Sequence, residues 1–333
     1  MSQLDELQYP RIRQTIVDAR WAIQPEKLAT ILDFVNLKAG GGHLTAEEIQ
    51  AQVGAARRGS YQTAGSVAVL PLFGTIMPRA NLMTEFSGGT SIQGFAKAFR
   101  EALNDDSVGS ILIEVDSPGG IVDGIPELAD EIRSARGGKP IIAHANGLAA
   151  SAAYWVASAA DELIMTPSGE VGSIGVFIVH YDRSGMLEQA GVQPSLISAG
   201  RYKTEGNPFE PLGEDARAYL QEQVDEFYGM FVGAVAKGRG VGIKEVREGF
   251  GQGRVVTAAT ARRLGMVDRV ETFDATVARL SGAKRPRQGS RAELVGTSAT
   301  ARLDGQERSA STERRRRGLW LMSEGRKDVT NHG

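Results

Sequence analysis

The longest stretch of this chain without a charged side chain runs from Pro140 to Ala160, and it limits the fold more than any other segment. A run of this length must be buried in a core or in a bilayer. Alanine outnumbers the larger aliphatic residues, and His144, Asn146, Gly147, Ser151 and Ser158 interrupt it. A membrane-spanning helix needs about 20 predominantly apolar residues, for which polar side chains at mid-depth are costly. The stretch therefore reads as a buried strand, turn and helix, with the strand over Ile141–Ala145 and the helix over Ala150–Ala160.

Similar segments flank it. Val67–Phe73, Ile111–Val115 and Leu163–Met165 are short apolar runs of strand character. Phe95, Phe99 and Leu103 mark one helix, and Pro126-Glu127-Leu128 opens another that continues through Ile132. Strands alternating with helices predict an α/β layer built from right-handed crossovers. Glu214 to Lys237 reads as a long helix with Leu220, Val224, Phe227, Phe231 and Val235 on one face, a stripe suited to core or subunit packing.

Three regions are expected. Residues 1–60 read as a helical N-terminal extension: Gln24-Pro25-Glu26 starts a helix carrying Leu28, Ile31, Leu32 and Val35, Gly40-Gly41-Gly42 ends it, and Thr45-Ala46-Glu47-Glu48 is a capping-box pattern. Residues 61–280 form the main domain. Residues 281–333 hold 12 Lys/Arg against 6 Asp/Glu, whereas residues 1–280 hold 26 against 34. With few large apolar side chains, that basic tail reads as disordered. Arg314-Arg315-Arg316-Arg317 before Leu319-Trp320-Leu321-Met322 reads either as a docking motif or as a solvated basic run. The positive charge of this tail also allows contact with nucleic acid.

The chain has no cysteine, which removes disulfides, thiolate catalysis and cysteine-bound zinc. No phosphate-binding loop, His-Glu-x-x-His zinc motif or paired dinucleotide fingerprint occurs, so no cofactor or metal is expected. The N-terminus lacks a basic segment followed by an apolar one, so neither a signal peptide nor a membrane anchor is expected.

Ser151 lies among small residues, Gly147-Leu148-Ala149-Ala150-Ser151-Ala152-Ala153. A hydroxyl becomes a nucleophile only beside a base. Lys203, in Gly200-Arg201-Tyr202-Lys203-Thr204, can be that base if an apolar environment keeps its amine neutral. Taken singly, such a serine is usually packing and such a lysine a solvated turn residue. His144 and His180 are the alternative bases, since histidine is the commonest one; His43 and His332 lie in glycine-rich or terminal segments. Asp116-Ser117-Pro118-Gly119-Gly120 follows the Ile111–Val115 strand, where glycines let backbone amides approach a ligand.

The serine and lysine segments, 52 positions apart, together with Gly172-Ser173-Ile174-Gly175-Val176 and Gly253-Arg254-Val255-Val256-Thr257, resemble the S49 serine peptidases, the signal peptide peptidase A group. The resemblance covers about residues 65–280. It implies a ClpP/crotonase-like α/β superhelix and a Ser151–Lys203 dyad. It also implies oxyanion-hole amides at Gly119, Gly120 and Ala152, and a lysine-orienting hydroxyl at Ser173. Thr257 and Gly265 in the last block read as a helix cap and a helix stop. Where the family often has Gly-Gly or Gly-Tyr after the serine, this chain has Ala152-Ala153.

Ala22-Ile23-Gln24-Pro25-Glu26-Lys27-Leu28 and Leu44-Thr45-Ala46-Glu47-Glu48-Ile49 resemble the phage head-maturation (prohead) peptidases of the lambda protein C type. That likeness implies a homo-oligomer acting on capsid, scaffold or portal proteins in the bacterial host cytoplasm or inside proheads. Other readings are a cellular cytoplasmic peptidase of the same group, a crotonase-like acyl-CoA enzyme, and a non-catalytic minor capsid or scaffold protein. Small side chains are expected before the cut, and the small-residue stretch of the tail predicts self-cleavage within about residues 285–305.

Overall fold

The computed structural model describes residues 19–39, 61–80 and 88–282. The chain divides into two units between Arg285 and Pro286, and every described residue belongs to the first. The triple glycine, the Thr45 capping box, the basic tail and the expected self-cleavage segment lie outside the described residues.

The main sheet is parallel at its centre. Strands β3 (Val67–Phe73), β6 (Ser110–Ser117), β8 (Ile141–Ala150) and β10 (Glu170–Gly172) pair in that order, with β2 (Gln62–Ala64) and β11 (Val255–Thr257) antiparallel at the two edges. Parallel strands covered on both faces need apolar residues at nearly every position, and β6 meets that with Ile111, Leu112, Ile113 and Val115, all fully buried.

Strand β8 changes partner along its length. Ile142–Ala145 pair with β9 (Glu162–Met165), and Leu148–Ala150 pair with β10. Between them the β6–β8 register shifts, and Gly147 sits at φ 127° where a Cβ would come within 2.8 Å of Asp116 Oδ1. Only glycine fits there. Strand β12 (Arg269–Val270) extends the sheet beyond β9. A smaller sheet has the order β1 (Trp21–Ile23), β7 (Gly119–Ile121), β4 (Ile76–Met77), β5 (Thr90–Ser91).

The helices are α1 (Pro25–Ala39), α2 (Ile92–Asn104), α3 (Ile125–Ser134), α4 (Ala152–Ala157), α5 (Ser184–Gln189), α6 (Glu214–Arg239), α7 (Ile243–Gly249), α8 (Ala258–Arg263) and α9 (Phe273–Leu280). Helix α1 begins at the expected proline. Helix α4 is shorter than the sequence predicts. Its strand continues to Ala150 because the Ser151 N–H still donates to the Gly172 carbonyl at 2.7 Å. Beyond Ala157, the Arg136 guanidinium collects the Ser158, Ala159 and Ala160 carbonyls, neutralising that helix end.

Every residue of α4 is buried, and Trp155 stacks on Phe231 of α6 with ring centroids 4.5 Å apart. The stripe on α6 is divided: Phe231 and Val235 are core, while Leu220, Val224 and Phe227 are half-buried. Gly238 admits the close crossing, since a Cβ there would lie 2.1 Å from the Ser158 carbonyl oxygen. On the opposite face of the sheet, α9 covers Val67, Leu112, Ile142 and Ile164 with Phe273, Val277 and Leu280. No helix among the described residues is long and apolar enough to cross a membrane.

Candidate active site

The backbone itself singles out Ser151. It occupies the one residue between the end of β8 and the start of α4, at φ 56° and ψ −120°. A β-carbon disfavours this region, and a non-glycine residue held there is strained by about 1–3 kcal/mol. Strand–serine–helix turns of this kind present a nucleophile at the head of a helix, where first-turn amides have no intrahelical partner. The Ala152 N–H is such an amide. Helix α4 is fixed in turn by its packing and by the Tyr154 hydroxyl, which donates to the Met266 carbonyl at 2.9 Å. Burial pushes the Tyr154 phenol above its ordinary pKa, so it stays protonated and keeps that bond.

The Ser151 hydroxyl donates to the Gly175 carbonyl at 3.4 Å, and the residue is only 1% exposed. Ser173, expected to orient a lysine, is 8% exposed and also has a left-handed φ of 53°. Its N–H donates to the Arg254 carbonyl at 2.9 Å, which ties the Gly172–Val176 segment to the block before β11. Thr257 does stand at the N-cap position of α8, but its side chain makes no capping bond.

Gly119 and Gly120 form β7. The Gly119 N–H points to the Ser117 hydroxyl at 3.2 Å, and that hydroxyl donates to the Gly74 carbonyl at 2.6 Å. An ideal Cβ on Gly119 would lie 2.1 Å from the Ala22 carbonyl oxygen and 3.0 Å from Ser151 Cβ. Three segments thus converge on one point: the glycine pair, the serine and β1. Sequence reasoning missed β1 and Ser117. Trp21-Ala22-Ile23 is too short to show a period, and the Ser117 hydroxyl acts through a turn whose partners are remote in sequence.

Lys203 lies elsewhere in character. It sits in a turn-rich segment, its side chain is exposed, and its N–H donates to the Gly200 carbonyl at 3.2 Å. No hydrogen bond joins it to Ser151 or Ser173 among the described residues. The surrounding segment exposes Tyr181, Met186, Val192, Leu196, Ile197 and Tyr202, with Ile197 98% exposed.

Neither candidate histidine hydrogen-bonds Ser151. His180 Nε2 is 3.2 Å from the Asn207 carbonyl oxygen. His144 is fully buried on β8, with Nδ1 2.9 Å from Thr276 Oγ1 and its ring edge-on to Phe273 of α9. Desolvation lowers its pKa to about 4.

Residues 133–285 match the model of peptidase family S49. The chain is 32% identical over 279 residues to the capsid assembly protease C of Escherichia phage lambda, covering 78% of this chain and 63% of that protein. It is 38% identical over 186 residues to the head-tail preconnector protein of Enterobacteria phage P21, covering 56% and 37%. A putative protease of Synechocystis sp. is 30% identical over 187 residues, covering 55% and 67%. The chain therefore spans less than two thirds of the length of the two phage relatives.

Proposed function

Because the chain belongs to peptidase family S49, we propose that it is a serine peptidase in which Ser151 is the nucleophile and Lys203 the general base. The observation that carries this reading is the strained backbone of Ser151 at the head of a fully buried helix. In hydrolysis Ser151 Oγ attacks the scissile carbonyl carbon, and the Lys203 amine takes the hydroxyl proton. The oxyanion is met by the Ala152 N–H and by an amide of the Gly119-Gly120 pair. As the C–N bond breaks, the lysine returns the proton to the leaving amine. Water then attacks the acyl-enzyme, with the lysine again accepting and releasing a proton.

Lysine can act so only when desolvated. Lys203 is in solvent in the single chain, and the apolar side chains around it are also uncovered. A homo-oligomer in which a neighbouring copy covers the 181–213 segment would supply the missing apolar environment. Ser173, held rigidly beyond the serine, would accept the lysine's hydrogen bond. The phage relatives support substrates among proteins of capsid assembly, in the host or within the prohead.

The test is hydrolysis of a peptide library by wild type and Ser151→Ala, together with the assembly mass in solution. Loss of turnover in the variant at unchanged assembly supports the reading. Equal turnover in both proteins rejects Ser151 as nucleophile.

A further inference from the structure

Ser151 is 1% exposed, with its hydroxyl on the Gly175 carbonyl, and the β1 carbonyl of Ala22 and the Ser151 Cβ both crowd the same side of Gly119. Strand β1 runs antiparallel to β7, with Trp21, Ala22 and Ile23 opposite Ile121, Gly120 and Gly119. The Val122 N–H donates to the Arg20 carbonyl and the Gln24 N–H to the Pro118 carbonyl, both at 3.0 Å. Antiparallel ladders alternate, so the mutually bonded pair between them is Ala22 with Gly120. The Gly120 amide, one of the candidate oxyanion donors, is thus occupied by the Ala22 carbonyl. The other edge of β1 is also filled: Trp21 and Phe177 exchange two backbone bonds of 2.9 Å.

A peptide strand is therefore already bound between β7 and Phe177, with a carbonyl on the glycine pair and close to Ser151. Its side chains alternate as an extended ligand's would. Trp21 and Ile23 enter an apolar pocket with Leu28, Met77 and Ile121, whereas Ala22 belongs to the main core. Adding an extended segment to a strand edge is a general mode of peptide recognition: backbone bonds give affinity and alternate pockets give selectivity.

We propose that β1 is a built-in stand-in for substrate. It fills the peptide-binding groove of the site, and a substrate strand gains Ser151 by displacing it. The groove then takes an extended polypeptide with a small residue between two large apolar ones, matching Trp21-Ala22-Ile23. This rests on the reading of Ser151 as nucleophile.

A reversible lock tests it. Trp21 and Ile121 are directly opposed, non-hydrogen-bonded partners, for which Cα atoms lie about 4.5 Å apart, within the usual disulfide range. The chain has no native cysteine, so Trp21→Cys/Ile121→Cys forms a single defined disulfide. Labelling of Ser151 by a fluorophosphonate probe is timed in the oxidised and reduced forms of this full-length variant. Reactivity scales with the fraction of open molecules, so the reduced form is expected to label roughly tenfold faster or more than the oxidised one. Ile23→Asp, which places a charge in the apolar pocket, is expected to label faster than wild type.

Equal rates in the two redox states overturn the stand-in while leaving the nucleophile intact. Failure of the disulfide to form in folded protein overturns it as well. Absence of labelling in wild type and in both redox states overturns the nucleophile reading and this proposal together.

Discussion

The junction carrying Ser151 and the segment carrying Lys203 are built on opposite principles. At the junction, strand and helix are both interior, the serine's N–H closes the β10 ladder, and Trp155, Phe231 and Tyr154 clamp the helix. Strain at φ 56° is sustained there because the surrounding core over-determines it. The lysine segment has no core. Residues 191–201 are exposed without interruption, apolar ones included. The contrast teaches that this fold rigidly positions the proposed nucleophile within one chain and leaves the proposed base in solvent.

The sharpest way to break the comparison is at its two poles. Ser151→Ala is expected to lower peptide hydrolysis at least about a thousandfold while leaving the melting temperature within a few degrees, because the site is already lined with alanines. Turnover above a few percent of wild type removes the nucleophile from the account. Lys203→Arg is expected to be as inactive as Lys203→Ala, roughly a hundredfold or more below wild type, since arginine keeps its charge but cannot give up a proton. A working arginine variant makes the lysine an electrostatic group and sends the search for a base to His180, since His144 is buried against Thr276 and Phe273.

A smaller effect lies on the far face of the sheet. His144 has a folded pKa of about 4 against an ordinary 6.5, so between those values the unfolded chain binds more protons than the folded one. Stability is then full above pH 6.5 and falls as the pH drops toward 4, by up to about 3 kcal/mol. Glu271 pulls the imidazole toward protonation and Arg279 opposes it, both weaker than burial. In thermal melts from pH 7.5 to 4.5, His144→Leu should show a shallower decline than wild type, with Thr276 still bonded to Glu271. Parallel declines would assign the acid sensitivity to other groups.

Packing around the junction gives the next test. Gly238→Ala drives a methyl group into the Ser158 carbonyl and is expected to cost about 2 kcal/mol. Gly229→Ala, on the same helix with nothing within 4 Å of its Cβ, should stabilise by about 1 kcal/mol through helix propensity. Denaturant titration compares the pair, and equal midpoints would mean that α6 does not press on the end of α4 as described. The smallest effect belongs to the exposed segment. Ile197→Ser should change chain stability by less than about 0.5 kcal/mol, yet weaken assembly measured by light scattering at low protein concentration. Unchanged assembly would free this surface from the role of subunit contact.

Much of the fold is legible in the residues themselves. Short apolar runs rich in β-branched residues at Val67–Phe73 and Ile111–Val115 favour buried strands, and Pro25 can begin a helix but not sit inside one, so local chemistry points to these elements. The candidacy of Ser151 rests on the resemblance of its segment and of the Lys203 segment to the S49 peptidases, since either residue alone reads as structural. The helix boundary after Ser151 is not legible, because it depends on a hydrogen bond to Gly172, which arrives from another strand. Nor is β1: three residues carry no periodicity, and their strand state comes from the edges of β7 and Phe177, far away in sequence. Residue types and spacing thus determined the α/β layer and the buried central segment, and the family resemblance of particular segments supplied the chemical candidates. Tertiary structure decided which amide meets which carbonyl, placing the chain's own Ala22 beside Ser151 and Lys203 in solvent, because burial and backbone pairing are properties of segments brought together and not of any segment alone.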